Sequence, residues 1–179
     1  MRLVPLSFAV ALALGAGGCA AMTQSATSGH VATADLKNAG GRSIGAATFT
    51  EVPGGVRIVL DVKGLPAGAK GVHIHEVGKC EGPQFTSAGG HFNPGNKQHG
   101  TMNPQGPHAG DLPNITIASD GSGRLETTTD RVTLGAGATS VFDADGSALV
   151  VHAGPDDFVT DPTGNSGGRS ACGVIVKKQ

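Results

Sequence analysis

From residue 31 onward the apolar positions recur with a period of two, and no stretch shows the three-to-four spacing of an amphipathic helix. The clearest run is Val56–Val62, where Val56, Ile58, Leu60 and Val62 share one face of a strand. Strands are also predicted over Val31–Leu36, Ile44–Val52, residues 72–76, Ile115–Ser119, Arg124–Leu134, Ala148–His152 and Ala171–Lys177. Asn38-Ala-Gly-Gly-Arg42 and Asp120-Gly-Ser-Gly123 read as hairpin connections. The expected class is all-β, an eight-stranded Greek-key sandwich or flattened barrel. Thirty glycines with no three-residue period fit turns and tight corners rather than collagen. Phe is the only aromatic, so the core must be mostly Val, Ile, Leu and Ala.

Two connections, Gly78–Leu112 and Ala153–Gly168, are too long for turns. Long irregular loops in a compact domain are usually functional or disordered. The first carries Cys80, His91, His99, His108 and Asp111. Strand periodicity sets His73 and His75 on one face, about 7 Å apart, and His152 closes the set. Only one histidine of the seven, His30, stands apart, and it reads as a solvated linker residue. This distribution points to a metal centre.

The N-terminus lies outside the domain. Met1-Arg2, the apolar run that follows and the small residues up to Gly18 read as a secretory signal peptide over residues 1–18. Cys19 then fits a bacterial lipoprotein with a lipidated thiol, ordinary cleavage nearby being the alternative. Residues 19–30 form a small, polar tether, and residues 31–179 are one domain's worth of chain. Loss of the leader removes Arg2 and no acid, leaving a charge near neutral that argues against nucleic acid. Cys80 and Cys172 remain as an even pair in an exported chain, where disulfides persist. The expected location is the periplasm or cell envelope, with the lipid as the sole membrane attachment.

Four imidazoles suit copper, and three imidazoles with one carboxylate suit a closed zinc site. Six histidines and Asp111 would have to fill eight positions, so one histidine must use both ring nitrogens.

Several motifs resemble the copper/zinc superoxide dismutases. They are His73-Ile-His75-Glu, Ser87-Ala-Gly-Gly-His91-Phe-Asn-Pro94, His99-Gly100, His108-Ala-Gly-Asp111-Leu-Pro-Asn114, Val150-Val-His152 and Gly168-Arg-Ser-Ala-Cys-Gly-Val174. They run in family order over about residues 31–177. The resemblance implies one copper, on His73, His75, His91 and His152, and one zinc, on His91, His99, His108 and Asp111. His91 would be the bridge and proton carrier, and Arg169 the cation that docks superoxide. Asp156 would link a copper histidine to a zinc histidine, and Cys80 would pair with Cys172. The implied reaction converts two superoxide anions and two protons to dioxygen and hydrogen peroxide.

A non-catalytic copper or zinc storage protein on the same scaffold is the competing reading, although storage requires neither a bridge nor a docking arginine. A two-zinc hydrolase lacks a convincing general base. The chain also departs from animal relatives. Its His152–Arg169 loop is shorter and lacks lysine, and its Cys80–His91 segment is longer, so the homodimer of those enzymes does not transfer directly.

Overall fold

The computed structural model describes residues 29–178, so the expected signal peptide, Cys19 and most of the expected tether lie outside the described residues. Ten strand segments follow in chain order: β1 Val31–Asn38, β2 Ser43–Val52, β3 Gly55–Val62, β4 Gly68–Lys70, β5 Val72–His75, β6 Ile115–Ile117, β7 Gly123–Thr129, β8 Ala148–His152, β9 Arg169–Val174 and β10 Val176–Lys177. Only Gly71 separates β4 from β5, and only Ile175 separates β9 from β10. Eight chain runs therefore make up the ten segments.

The sheet order is β4-β6-β7-β3-β2-β1-β9-β8-β5, with β10 on β1. Every pairing between strands is antiparallel. Its two ends, β4 and β5, belong to one run, so the sheet comes nearly full circle into a barrel. Closure leaves few unpaired edges. The β3–β7 and β1–β9 neighbours are far apart in sequence, as Greek-key connections require.

Local chemistry explains the turns. Asn38 Oδ1 accepts from Gly40 N and Arg42 N, both at 3.1 Å, which folds the chain back between β1 and β2. Ala32, Ala34, Leu36, Ala47, Phe49, Val56, Ile58, Leu60, Val62, Val72, Ile74, Leu149 and Val151 are buried in the barrel interior. The predicted strand Arg124–Leu134 stops at Thr129. Beyond it Val132, Leu134 and Val141 still reach the core from a loop, so their apolar pattern mimicked a strand.

A second small cluster lies on the other side of β8 and β9, formed by Phe85, Ala88, Ala148, Val150 and Cys172. The Cys80–Cys172 disulfide pins the long loop there. No helix among the described residues is long and apolar enough to cross a membrane.

Candidate metal centre

On β5, Val72 and Ile74 enter the barrel core while His73 and His75 take the opposite face. That face is buried all the same, with His73 at 0% and His75 at 1% exposure, because the 76–114 loop folds over it. The loop is stitched to β5 through the backbone. Ile74 N donates to Gly110 O at 2.9 Å, Phe92 N to Ile74 O at 2.8 Å and Glu76 N to Gly90 O at 3.0 Å. These bonds place Asp111 opposite His73 and His91 opposite His75. On the other edge β8 pairs with β5, and His152 N donates to Gly71 O at 2.9 Å.

Two donor sets result. In the first, His73, His75, His91 and His152 bring one atom each within 4.8 Å of one another. His75 Nε2 and His152 Nε2 face each other at 3.4 Å. In the second, His91 Nδ1 lies 3.1 Å, His99 Nδ1 3.0 Å and His108 Nδ1 3.4 Å from Asp111 Oδ1, and His108 Nδ1 is 3.3 Å from His91 Nδ1. A looser grouping puts His73 with His91, His99 and Asp111. His108 is the better fourth member, because its Nδ1 lies 3.4 Å from Asp111 Oδ1 while His73 already belongs to the first set. His91 belongs to both sets.

The second nitrogens are held outward. Asp156 accepts from His73 Nε2 through Oδ2 at 2.8 Å and from His99 Nε2 through Oδ1 at 2.9 Å. His75 Nδ1 donates to Gly89 O at 3.0 Å and His152 Nδ1 to Gly167 O at 3.1 Å. His73 Nδ1, His91 Nε2 and His99 Nδ1 are buried and make no hydrogen bond. Buried polar atoms left this way are costly. Here all three point into the donor sets, so the residues present fit two cations.

Burial pushes the imidazoles of His73, His75 and His152 down to about 3, about 2 and about 4, which keeps them neutral and ready to ligate. His99 moves the other way: burial lowers it, but the adjacent carboxylates of Asp111 and Asp156 outweigh that and raise it to about 9. Burial raises the Asp111 carboxyl, yet the close imidazoles of His108, His91 and His99 hold it far below the usual range. At neutral pH the second set therefore pairs the Asp111 carboxylate with a protonated His99, and a cation entering it displaces that proton.

A cavity of about 410 Å³ opens onto the first set and is lined by His75, His91, His152, Thr163 and Arg169, among others. Arg169 donates through Nη1 to Phe85 O at 2.6 Å and through Nη2 to Gly89 O at 2.5 Å. It makes no ion pair with Asp156 or Asp157. A larger depression, about 680 Å³, lies at His30 and Glu51, away from both donor sets. His30 is not a free linker histidine: its Nδ1 lies 2.6 Å from Glu51 Oε2.

Several residues of consequence were given no role by the sequence. Asn114, present there only as the last residue of the His108–Asn114 motif, clamps the Asp156 backbone with two 2.9 Å hydrogen bonds. Arg131 Nη2 donates to the Asp111 carbonyl. Asp157 accepts from Val159 N, Thr160 N, Thr160 Oγ1 and Asn165 Nδ2, which staples its own loop. The adjacent acids thus divide: Asp156 faces the histidines and Asp157 the loop.

Residues 43–175 match the family described as copper/zinc superoxide dismutase. The chain is 51% identical over 146 residues to superoxide dismutase [Cu-Zn] 2 of Aquifex aeolicus, covering 80% of this chain and 85% of that one. It is 48% identical over 147 residues to superoxide dismutase [Cu-Zn] of Caulobacter vibrioides, with coverages of 80% and 84%. Among solved structures, a double mutant of a SOD-like protein from Bacillus subtilis superposes with a TM-score of 0.77 at 41% identity, covering 79% of this chain and 95% of that chain.

Proposed function

The chain belongs to the copper/zinc superoxide dismutase family, and from that premise we propose the role of each residue in its centre. The reaction is the conversion of two superoxide anions and two protons to dioxygen and hydrogen peroxide. His73, His75, His91 and His152 hold copper; His91, His99, His108 and Asp111 hold zinc. Bound copper supplies the one-electron exchange, and bound zinc a fixed charge without redox chemistry of its own.

The protein supplies the remainder. Arg169 offers an always-ionised fork at the cavity wall, where it attracts and orients a small anion. Its two backbone acceptors fix it there without neutralising it. His91 Nε2 faces the cavity side, so it is the atom placed to carry a proton toward the departing peroxide. His91 Nδ1 stays within the zinc set, which keeps the ring in one orientation. Asp156 fixes the tautomers of His73 and His99 together and so couples the two halves.

The observation that carries this reading is the His91 ring, shared by both donor sets with a buried Nε2 that has no protein partner. Metal analysis of the purified protein together with a superoxide decay assay tests it. One copper, one zinc and rapid decay are expected. Zinc alone, with no turnover after copper addition, would indicate the storage protein instead.

We also propose export to the periplasm or cell envelope, with a lipid on Cys19. Support comes from the apolar leader before that cysteine and from the Cys80–Cys172 disulfide, which suits an oxidising compartment. All seven ligand residues come from one chain, so each subunit of a homodimer would carry a complete centre.

A further inference from the structure

We infer that Asp161 is a positioning residue for the zinc half of the centre, holding His99 by its main chain and His108 by its outer ring nitrogen. This rests on the copper/zinc assignment above. Ligating histidines normally give their second nitrogen to an oxygen, which fixes the ring and strengthens the ligand. Five of the six histidines are accounted for. Asp156 serves His73 and His99, carbonyl oxygens serve His75 and His152, and His91 uses both nitrogens inward. His108 Nε2 is left, and the group facing it is Asp161 Oδ1 at 3.7 Å. At that distance the carboxylate faces the ring nitrogen without a hydrogen bond and acts on it through its charge.

The same Oδ1 accepts from His99 N at 2.5 Å, across 62 residues of sequence. One carboxylate oxygen therefore faces both of the proposed zinc histidines that do not bridge, bonded to the His99 main chain and 3.7 Å from the His108 ring. Asp157 offers a control on the same loop, because its contacts all stay within residues 157–165. Its staple on Val159 and Thr160 sets the backbone immediately before Asp161 and so directs that side chain toward the other loop. Asp161 remains 45% exposed, so its effect is on ligand orientation and charge rather than on core packing.

The test uses the purified protein carrying Asp161→Ala or Asp161→Asn. Zinc affinity is read by chelator competition, zinc-site geometry by the visible bands of substituted cobalt(II), and copper content by elemental analysis. Asp161→Ala is expected to weaken zinc about tenfold, shift the cobalt bands and leave copper in place. Asp161→Asn keeps an acceptor for His99 N but loses the charge opposite His108, so a smaller loss is expected. Unchanged zinc affinity and cobalt bands in a folded Asp161→Ala protein would overturn the inference, as would copper falling in step with zinc. Should that variant not fold, Asp161→Asn decides: weakened zinc supports the role, and wild-type affinity removes it. If the unmodified protein itself fails to take zinc, the copper/zinc assignment is what has failed, and that is visible without either variant.

Discussion

Arg169 and His75 share a single acceptor. Arg169 Nη2 lies 2.5 Å and His75 Nδ1 3.0 Å from the Gly89 carbonyl, so the proposed docking cation and a proposed copper ligand are indexed to one peptide group. Gly89 has φ +73°, and a Cβ there would come 2.7 Å from Glu76 Cγ. Glu76 Oε1 in turn accepts from Gly90 N at 2.8 Å. Rigidity at this point orients the first donor set and the anion site together.

Arg169→Ala should therefore keep both metals yet slow turnover at low substrate by roughly tenfold or more, with a flatter dependence on salt. Arg169→Lys should recover part of the rate, because it restores the charge but not the two-armed anchor. Pulse radiolysis across a salt series checks both. A variant as fast as the parent at low ionic strength would remove Arg169 from substrate capture.

Asp156→Asn should weaken metal retention by about 10- to 100-fold while the β fold survives. Each carboxylate oxygen now receives an imidazole N–H, whereas an asparagine would set its own N–H₂ against one of them. Dialysis against a chelator, followed by elemental analysis, measures the loss. Full retention would contradict the coupling of His73 to His99.

Gly164→Ala probes the same bridge from the other side. At φ +62° the new Cβ would fall 1.9 Å from Asp156 Oδ1 and 2.5 Å from His99 Nε2. The left-handed backbone alone costs roughly 1–2 kcal/mol, and relief of the clash must displace the carboxylate. Thermal melting should show a lower midpoint for the metal-loaded form, accompanied by zinc loss. An unaffected melt and full zinc would show that Asp156 can move without consequence.

Much of this architecture was legible in advance. Period-two alternation marked the long strands, and the histidine pattern marked the residues that the fold gathers into two donor sets. Strand β4, Gly68–Lys70, was too short to show a period, whereas β10 fell inside the predicted Ala171–Lys177 run. Buried Val132 and Leu134 looked like strand residues because burial, not pairing, selects their side chains. Among the supporting contacts only that of Asp156 was expected, through the family resemblance. Asn114 reaches across 42 residues to Asp156, Arg131 across 20 to Asp111, and Asp161 across 62 to His99, distances set by how the loops pack.

Acid stability should depend on a pair far from the metals. The His30 imidazole beside Glu51, helped by Thr133 Oγ1, lowers the Glu51 carboxyl from 4.5 to about 2. A depressed folded-state value adds stability above pH 4.5 that disappears as pH falls toward 2. With His30 64% and Glu51 26% exposed, solvent screening limits this to on the order of 1 kcal/mol. Glu51→Gln should flatten the stability profile in that window, measured by denaturant unfolding. An identical profile would show that Glu51 is not coupled to folding.

The central claim is that two unlike metals share the His91 ring, and anomalous diffraction at the copper and zinc edges tests it most directly. The account predicts one copper peak within reach of His91 Nε2 and one zinc peak within reach of His91 Nδ1. A single peak, or two that both avoid that ring, would contradict it.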